Sequence, residues 1–325
     1  MADKLPDVSR DVSRDISRDI SPLVAGSATF LPQMMPAVFV LIWSTGFIVA
    51  KYGLPYAPPL TFLTIRFALS LLCFLVWIAL ARVSLPRGRW QWAHLAVSGV
   101  LIHVGYLGGV WVAIKAGMGS GLAALMVGLQ PVLTALWLSS QSPNAHGGEK
   151  VSNRQWLGLA FGLGGLVLVV SRKFGETQEI TAFTMACITV ALLSITAGTL
   201  YQKQFVQAAD VRGANAVQIA SACVVTLPLA LLETEPITWS AQFMGAMAWS
   251  VLVLTLGGSS LLYMLIQRGA ATAVTSLMYL VPPCTALMAW LLFSEPITLV
   301  TIAGILITAL GVSLVVRAAK TPPRA

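Results

Sequence analysis

Ten apolar runs, separated by short connections, dominate this sequence and restrict the folds that it can adopt. A helix that crosses a membrane needs about 20 apolar residues, and most of these runs approach that length. Charged residues form only 10% of the chain, whereas about 25% is usual in soluble proteins. The sequence therefore predicts an all-α polytopic membrane protein with ten transmembrane helices. The predicted spans lie near residues 34–52, 60–81, 92–114, 118–139, 155–171, 181–202, 213–232, 242–265, 271–293 and 298–317.

The two ends of the chain differ in composition from the spans. Residues 7–21 repeat a four-residue unit, DVSR or DISR, and they lack the apolar stretch that is typical of a signal peptide. Low complexity of this kind predicts a disordered cytoplasmic tail over residues 1–31. An amphipathic helix with a drifting apolar stripe is the alternative. Residues 319–325 are predicted to form a second cytoplasmic tail.

The distribution of lysine and arginine predicts which ends of the spans face the cytoplasm. With ten spans and a cytoplasmic N-terminus, the inner segments hold fifteen of these residues and the outer segments hold four, while Arg66 lies within span 2. Cytoplasmic loops of membrane proteins carry an excess of positive charge. Both the N- and the C-terminus are therefore predicted to be cytoplasmic.

The second half of the chain repeats the first. Shifts of 152 residues before the loop at 140–148, and of 146 residues after it, align glycine, lysine, proline and glutamate in the two halves. The repeat predicts one five-helix unit over residues 32–172 and a second over 181–318, joined by a linker at 173–180. The aligned pairs include Lys51 with Lys203, Pro131 with Pro283, and Glu149 with Glu295.

An odd number of helices in each half has a consequence for topology. The second half must enter the membrane from the opposite side, so the two five-helix repeats are predicted to be inverted. Inverted repeats are a recurring plan of secondary transporters, whose substrate site lies near the midplane between the halves. Prolines at matching places inside two apolar runs are expected where helices bend or break beside a shared cavity.

Several other function classes lack support in the sequence. The net charge is +8, but the basic residues lie between apolar runs and form no single face for nucleic acid. No GxxxxGK[ST], HExxH or GxSxG motif occurs, and the three histidines are scattered. The four cysteines lie in apolar runs without CxxC spacing, which predicts free thiols. We therefore expect no enzyme, no cofactor and no metal site.

The sequence contains, in this order, Trp43-Ser44-Thr45-Gly46-Phe47 with Lys51, Arg66-Phe67, Pro131, Gly148-Glu149, Pro283 and Glu295-Pro296. In their order and spacing, these elements resemble the EamA-type branch of the drug/metabolite transporter superfamily over spans 1 to 10. The resemblance implies ten helices, a location in the cytoplasmic membrane, and export of amino acids or related small metabolites. The loop before Gly148 is longer than usual for the family, and the repeated N-terminal tail is additional.

Polar and amphipathic side chains within the spans are the candidates for contact with a substrate. The predicted substrate-binding residues are Trp43, Ser44, His103, Tyr106, Trp111, Gln130, Thr196, Tyr263 and Tyr279. A second set is predicted to have structural or gating roles. It consists of Arg66, Pro131, Pro283, Glu149 and Glu295.

Three of these residues have two interpretations each. His103 is a mid-span group that titrates near physiological pH; it either binds substrate or couples transport to protons, or it is a neutral histidine bonded to a neighbouring helix. Arg66 either binds a substrate carboxylate in a bidentate manner or holds helices together, and the structural role is favoured. Gln130 either lines a cavity or bonds between helices.

The combined pattern predicts a secondary transporter that exports amino acids or related metabolites by alternating access. All aspartates and glutamates lie outside the spans, so a neutral or zwitterionic solute is favoured over a strongly cationic one. The expected partners are that solute and the lipid bilayer, without nucleic acid. An uncoupled facilitator and a non-transporting structural or sensory membrane protein are the alternatives. Substrate identity, direction, proton coupling and oligomeric state stay open.

Overall fold

The computed structural model describes residues 35, 37–140, 153–173, 179–207, 209–258, 261 and 280–318. Over these ranges the regular secondary structure is entirely helical. The helices are α1 (Ala37–Gly53), α2 (Pro59–Ala81), α3 (Arg89–Lys115), α4 (Ser120–Val127), α5 (Gln130–Ser140), α6 (Asn153–Lys173), α7 (Ala182–Phe205), α8 (Val211–Ala230), α9 (Ala241–Gly258), α10 (Val281–Phe293) and α11 (Leu299–Ala318).

Many of these helices have the length and composition of membrane spans. Within the described part of the chain, α2, α3, α7, α8 and α9 are long and apolar enough to cross a bilayer. Shorter apolar helices occupy the positions of the remaining predicted spans, namely α1, α4 with α5, α6, α10 and α11. The all-helical, multi-span prediction is thus confirmed. The number ten and the cytoplasmic position of the termini remain predictions.

The outer surface of the bundle is apolar. Large aliphatic side chains such as Leu72, Leu80 and Val224 are exposed along α2 and α8. A soluble monomer rarely leaves so much contiguous apolar surface in contact with water. Lipid tails, by contrast, are as apolar as leucine and solvate such a surface well. The exposed leucine and valine side chains therefore mark the surface that faces lipid.

The fourth predicted span is broken in the middle. Helix α4 ends at Val127, Gly128 and Leu129 form a turn, and α5 begins at Gln130 with Pro131 as its second residue. Proline suits the first turn of a helix, where its missing N–H group has no partner in any case. The break therefore places Pro131 in the first turn of a helix, so that it does not interrupt the hydrogen bonds in the interior of a continuous helix. In the second half, Pro283 lies in the first turn of α10.

Contacts between the two halves follow a two-fold pattern. Helix α6 packs on α11, and α2 packs on α8, so each of these helices contacts its counterpart in the other half. In addition, α2 contacts α9, and correspondingly α8 contacts α3. An axis in the membrane plane that exchanges two inverted halves is expected to produce such a pattern. The inverted topology and the division into two repeats remain predictions.

The contact between α6 and α11 depends on glycine. A Cβ atom on Gly165 would lie 2.5 Å from the carbonyl oxygen of Gly304, and one on Gly311 would meet the backbone at Gly158 and Gly162. Small residues let the backbones of neighbouring helices approach closely inside membranes. The adjacent Gly164, in contrast, faces open space.

We expect Gly165→Ala to destabilise the protein by about 1–3 kcal/mol, because the added methyl group overpacks a backbone contact. Gly164→Ala is the matched control. It is expected to be neutral or stabilising by up to about 1 kcal/mol, because alanine favours the helix and meets no neighbour. Unfolding of the two purified variants in detergent, followed by denaturant titration, measures this difference. Equal stability of both variants would contradict the proposed packing.

Candidate functional site

A buried arginine links the two halves at the centre of the described bundle. Arg66 lies about two turns into α2 and is 7% exposed. Its Nε and Nη2 atoms both donate to Oγ1 of Thr255 on α9, each at 3.2 Å. The Thr255 hydroxyl in turn donates to the Ser250 carbonyl oxygen at 2.9 Å. Among the residues that the structure describes, a single neutral hydroxyl thus accepts from this guanidinium, which joins the two halves.

Both helices beside Arg66 are wound as π-helix where they approach it. The π segments are Val100–Gly108 in α3 and Trp249–Gly258 in α9. The shift of 152 residues that relates the halves aligns these segments and places His103 on Thr255. Segments of π-helix are rare and frequently mark functional sites. Their repetition at matching places singles out this region of the bundle.

His103 and Tyr106 complete the surroundings of the arginine on the α3 side. The His103 ring packs edge-on against the Phe67 ring at a centroid distance of 5.8 Å. Both His103 and the buried Tyr106 are close enough to Arg66 to interact with its charge. From the sequence, His103 and Tyr106 are predicted to bind substrate, and Arg66 is predicted to have a structural or gating role. The structure brings all three together.

Three unpartnered polar atoms belong to residues of α2, α3 and α9, the helices that meet at this arginine. Among the described residues, four buried side-chain atoms lack a hydrogen-bond partner, and Ser70 Oγ, His103 Nε2 and Ser250 Oγ are three of them. Ser70 lies one turn beyond Arg66 on the same face of α2. Ser250 is the residue whose carbonyl oxygen accepts from Thr255. Buried polar atoms normally have hydrogen-bond partners, so the hydrogen bonding of these residues is incomplete in the structure. We call Arg66, Ser70, His103, Tyr106, Ser250 and Thr255 the Arg66 cluster.

Several of the other predicted binding residues are committed to packing or to their own helix. Trp111 is 1% exposed and its ring lies 4.5 Å from that of Phe62. Ser44 Oγ donates to the Val40 carbonyl oxygen, and Thr196 Oγ1 donates to that of Leu192, both at 2.7 Å. Such contacts favour structural roles for these three side chains, whose binding roles remain predictions. Trp43 is half-buried and packs against the core.

Gln130 stands at the break between α4 and α5. Its Nε2 atom donates to Oγ1 of Thr199 on α7 at 3.2 Å, so it bonds between helices. The amide oxygen and the half-buried position leave room for a second role beside the break. The predicted residues Tyr263, Tyr279 and Glu149 lie outside the described residues.

Glu295 ties together one end of the bundle. Its Oε1 atom accepts from Lys51 Nζ at 2.7 Å and from the Ser120 amide at 3.0 Å, while Oε2 accepts from the Gly121 amide at 3.5 Å. A carboxylate at the start of α4 also meets the positive end of the helix dipole. One side chain thereby joins α1, α4 and the segment between α10 and α11. We call this the Lys51 end, which the sequence predicts to face away from the cytoplasm.

Its surroundings keep the Glu295 carboxylate charged. Burial alone raises the pKa of this carboxyl, but the Lys51 ammonium and the Ser120 and Gly121 amides outweigh that effect. The pKa of Glu295 consequently lies below its ordinary value of 4.5. A depressed carboxyl pKa contributes stability above the unfolded-state value and loses it as the pH falls through the folded-state value. The contact is therefore expected to persist at neutral pH.

Further contacts close the same end. Lys115 Nζ bonds to Glu235 at 2.6 Å, and the Glu233 carboxylate accepts from the Leu60 amide and from both the amide and hydroxyl of Thr61. Sequence reasoning missed Glu233 and Thr255. Thr255 could have been found from the alignment of the halves, because the shift of 152 residues places it on His103. Lys203, the counterpart of Lys51, is exposed at the opposite end and pairs with no acidic residue that the structure describes.

Comparison with known proteins decides the family. The model of the EamA-like transporter family matches the chain twice, over residues 33–171 and 182–317. The chain belongs to the EamA-like transporter family. This EamA-like protein is therefore a transporter by family, and its predicted membership of the drug/metabolite transporter superfamily is confirmed.

Relatives of this EamA-like protein carry names that agree. An "Uncharacterized transporter YvbV" of Bacillus subtilis is 28% identical, with 87% of this chain and 90% of that protein covered. A "Probable amino-acid metabolite efflux pump" of Salmonella typhimurium is 26% identical, with 84% and 90% covered. An "Uncharacterized inner membrane transporter YedA" of Escherichia coli is 26% identical, with 79% and 82% covered. These names point to transport rather than to an enzyme.

A solved crystal structure shares the fold of this EamA-like protein. It has a TM-score of 0.62 at 16% sequence identity and covers 89% of this chain and 98% of that one. Such a likeness shows the fold alone. The family, the relative named as an inner membrane transporter and the apolar helices together place the EamA-like protein in the inner membrane as a multi-pass protein.

Proposed function

We propose that this protein is a secondary transporter that exports amino acids or related small metabolites by alternating access between two inverted halves. The Arg66 cluster carries the proposal, because it places buried polar groups of both halves together in the middle of the bundle. The name of the Salmonella typhimurium relative supports the substrate class. The substrate class and the alternating-access mechanism go beyond what membership of the family implies, which is the fold and a role in transport.

The closed Lys51 end supports alternating access. At this end, side chains of α1, α3 and the segments after α8 and α10 form ion pairs and cap helices. At the opposite end Lys203 is exposed. A transporter that alternates must break the contacts at one end while it closes the other. In this account the structure represents the state in which the route from the Arg66 cluster to the outer side is shut.

The charge distribution favours a solute that is neutral or zwitterionic overall. All twelve acidic residues lie in the tail, in loops or at helix ends, so no carboxylate within a span is available to bind a cationic solute. The one buried charge of the Arg66 cluster is positive. An uncoupled facilitator is the second candidate, because the same absence of acidic residues removes the commonest proton relay from the spans.

Efflux of labelled amino acids from energised membrane vesicles tests this function. Vesicles that contain the protein are expected to move at least one amino acid against its gradient, and empty vesicles are not. Movement that stops at equal concentrations would identify a facilitator instead. No movement of any amino acid or related metabolite would contradict the proposal. The Gly164→Ala variant, altered only at an exposed position, is the control for the effect of a substitution on expression and membrane insertion, and it is expected to transport like the wild type.

The same assay tests a role for His103. If His103 couples transport to protons, His103→Ala is expected to lose the pH dependence that the wild type shows between two pH values. Charged and titratable groups near it among the described residues are Arg66 on α2 and Tyr106 on its own helix. A variant that keeps the wild-type pH dependence would remove the coupling role and leave His103 as a packing residue.

A further inference from the structure

We infer that Arg66 is the recognition residue for a carboxylate of the transported solute. This inference rests on the proposed transport function and deepens it, because it names the part of the solute that the Arg66 cluster recognises. It also replaces the structural role that the sequence favoured for Arg66.

Arg66 is a buried charge without a counter-ion. It is 7% exposed, and no acidic residue of the described chain forms an ion pair with it. In the full sequence, the predicted spans contain neither aspartate nor glutamate. An unpaired charge is costly within a membrane, and residues of this kind are almost always paired or functional. A bound anion would supply the partner that the protein itself does not provide.

The guanidinium also retains the donors needed for such a partner. It has five N–H groups in a rigid fork, and two of its nitrogens donate to one acceptor, Thr255 Oγ1. No other residue that the structure describes accepts from Arg66. Thr255 therefore fixes the orientation of the fork and leaves donors for another group. A carboxylate matches the planar geometry of a guanidinium and accepts two parallel hydrogen bonds from it.

The atoms around Arg66 extend this argument to a polar ligand. Ser70 Oγ, Ser250 Oγ and His103 Nε2 are buried and have no partner among the described residues. Each of these groups can bond to a carboxylate oxygen or to a neighbouring polar group of the solute. A purely structural arginine explains the bonds to Thr255 but leaves these three atoms without a purpose. A carboxylate-bearing solute accounts for the charge and for the unpartnered atoms together.

Two small clefts elsewhere do not compete for this role. They lie between α4, α6, α10 and α11, and each has room for about one water molecule. Neither includes a residue of the Arg66 cluster. Neither cleft is therefore part of the proposed carboxylate site.

The test compares an amino acid with its carboxamide, which differs only at the carboxylate. Binding of both compounds to the purified full chain is measured by thermal-stability shift and by counterflow in proteoliposomes. We expect the wild type to favour the acid by about tenfold or more, as hydrogen bonds to charged groups imply. In Arg66→Gln the preference is expected to disappear, while the carboxamide binds as before. A folded Arg66→Gln protein that keeps the preference would overturn the inference, and so would a wild type without one.

Two further variants keep the test decisive if Arg66→Gln does not fold. Arg66→Lys retains the charge but loses the fork, so the preference for the acid is expected to fall only in part. Thr255→Val removes the acceptor that orients Arg66 and is expected to weaken binding of the acid more than of the carboxamide. Equal losses for both compounds in these variants would identify a structural arginine. Simple carboxylates such as butyrate, compared with butyramide, make the thermal assay independent of whether amino acids are transported.

Discussion

Reversing the charge of Glu295 is expected to reduce transport by about tenfold or more, because hydrogen bonds to charged groups contribute about 1.5–3 kcal/mol each. In Glu295→Lys, two ammonium groups would meet where Lys51 Nζ now lies 2.7 Å from a carboxylate oxygen. The new lysine would also face the amides of Ser120 and Gly121 at the start of α4. Like charges and an opposed helix dipole both disfavour the closed Lys51 end. The population would shift toward the state that is open there.

Variants of the same pair separate this effect from general misfolding. Adding Lys51→Glu to Glu295→Lys restores an ion pair and is expected to recover part of the transport rate. Recovery is only partial, because a lysine at position 295 cannot accept hydrogen bonds from the α4 amides. Glu295→Gln keeps an acceptor oxygen and is expected to lose less than the charge reversal. If the double variant is no better than Glu295→Lys, the ion pair has no role in the transport cycle.

A covalent bridge between positions 51 and 295 is expected to stop transport altogether. Cysteines at these positions, joined by a short reversible thiol cross-linker, would hold α1 to the segment before α11. Alternating access requires this end to open once in every cycle, so the effect is complete rather than graded. Transport in proteoliposomes is measured before cross-linking, after it, and after reduction. The four native cysteines, which are free thiols among the described residues, are replaced first.

Single-cysteine variants provide the control for this bridge. The reagent attaches to Lys51→Cys or Glu295→Cys alone without joining two helices, so each variant is expected to transport at the same rate before and after treatment, even where loss of the ion pair makes that rate lower than in the wild type. Reduction of the bridged protein is expected to restore its rate. Full transport by a protein shown to be bridged would mean that the solute moves without opening of the Lys51 end, and the alternating-access account would be wrong.

The sequence was sufficient to predict the helices and some of their contacts. Long apolar runs identify spans because every backbone polar group must be satisfied within the segment in lipid. Predicted spans 5 and 10 are rich in glycine, which favours close helix packing in membranes, and Gly165 lies against the backbone of Gly304. Pro131 indicated a bend, and the helix is interrupted at Gly128 and Leu129, just ahead of the Gln130-Pro131 pair. These features depend on local chemistry, which a sequence displays.

The composition of the candidate site was harder to predict. Inside a membrane, apolar side chains face lipid and protein alike, so periodicity does not tell which face of a span is buried. Trp111, for example, is a predicted binding residue whose ring packs in the core against Phe62, and its binding role remains a prediction. The bond between Arg66 and Thr255 joins residues that lie 189 positions apart in the sequence, and no local pattern reveals it. The π segments depend on packing between helices, and no motif in the sequence predicted them.

The accessibility of the Arg66 cluster from each side of the membrane tests the central claim most directly. A cysteine in place of Ser70, which is fully buried one turn beyond Arg66, is treated with a membrane-impermeant thiol reagent applied to either face of sealed vesicles. The account predicts modification from both faces, and from only the face opposite the Lys51 end once positions 51 and 295 are bridged. Modification from a single face in the unbridged protein, or a pattern that the bridge does not change, would contradict it.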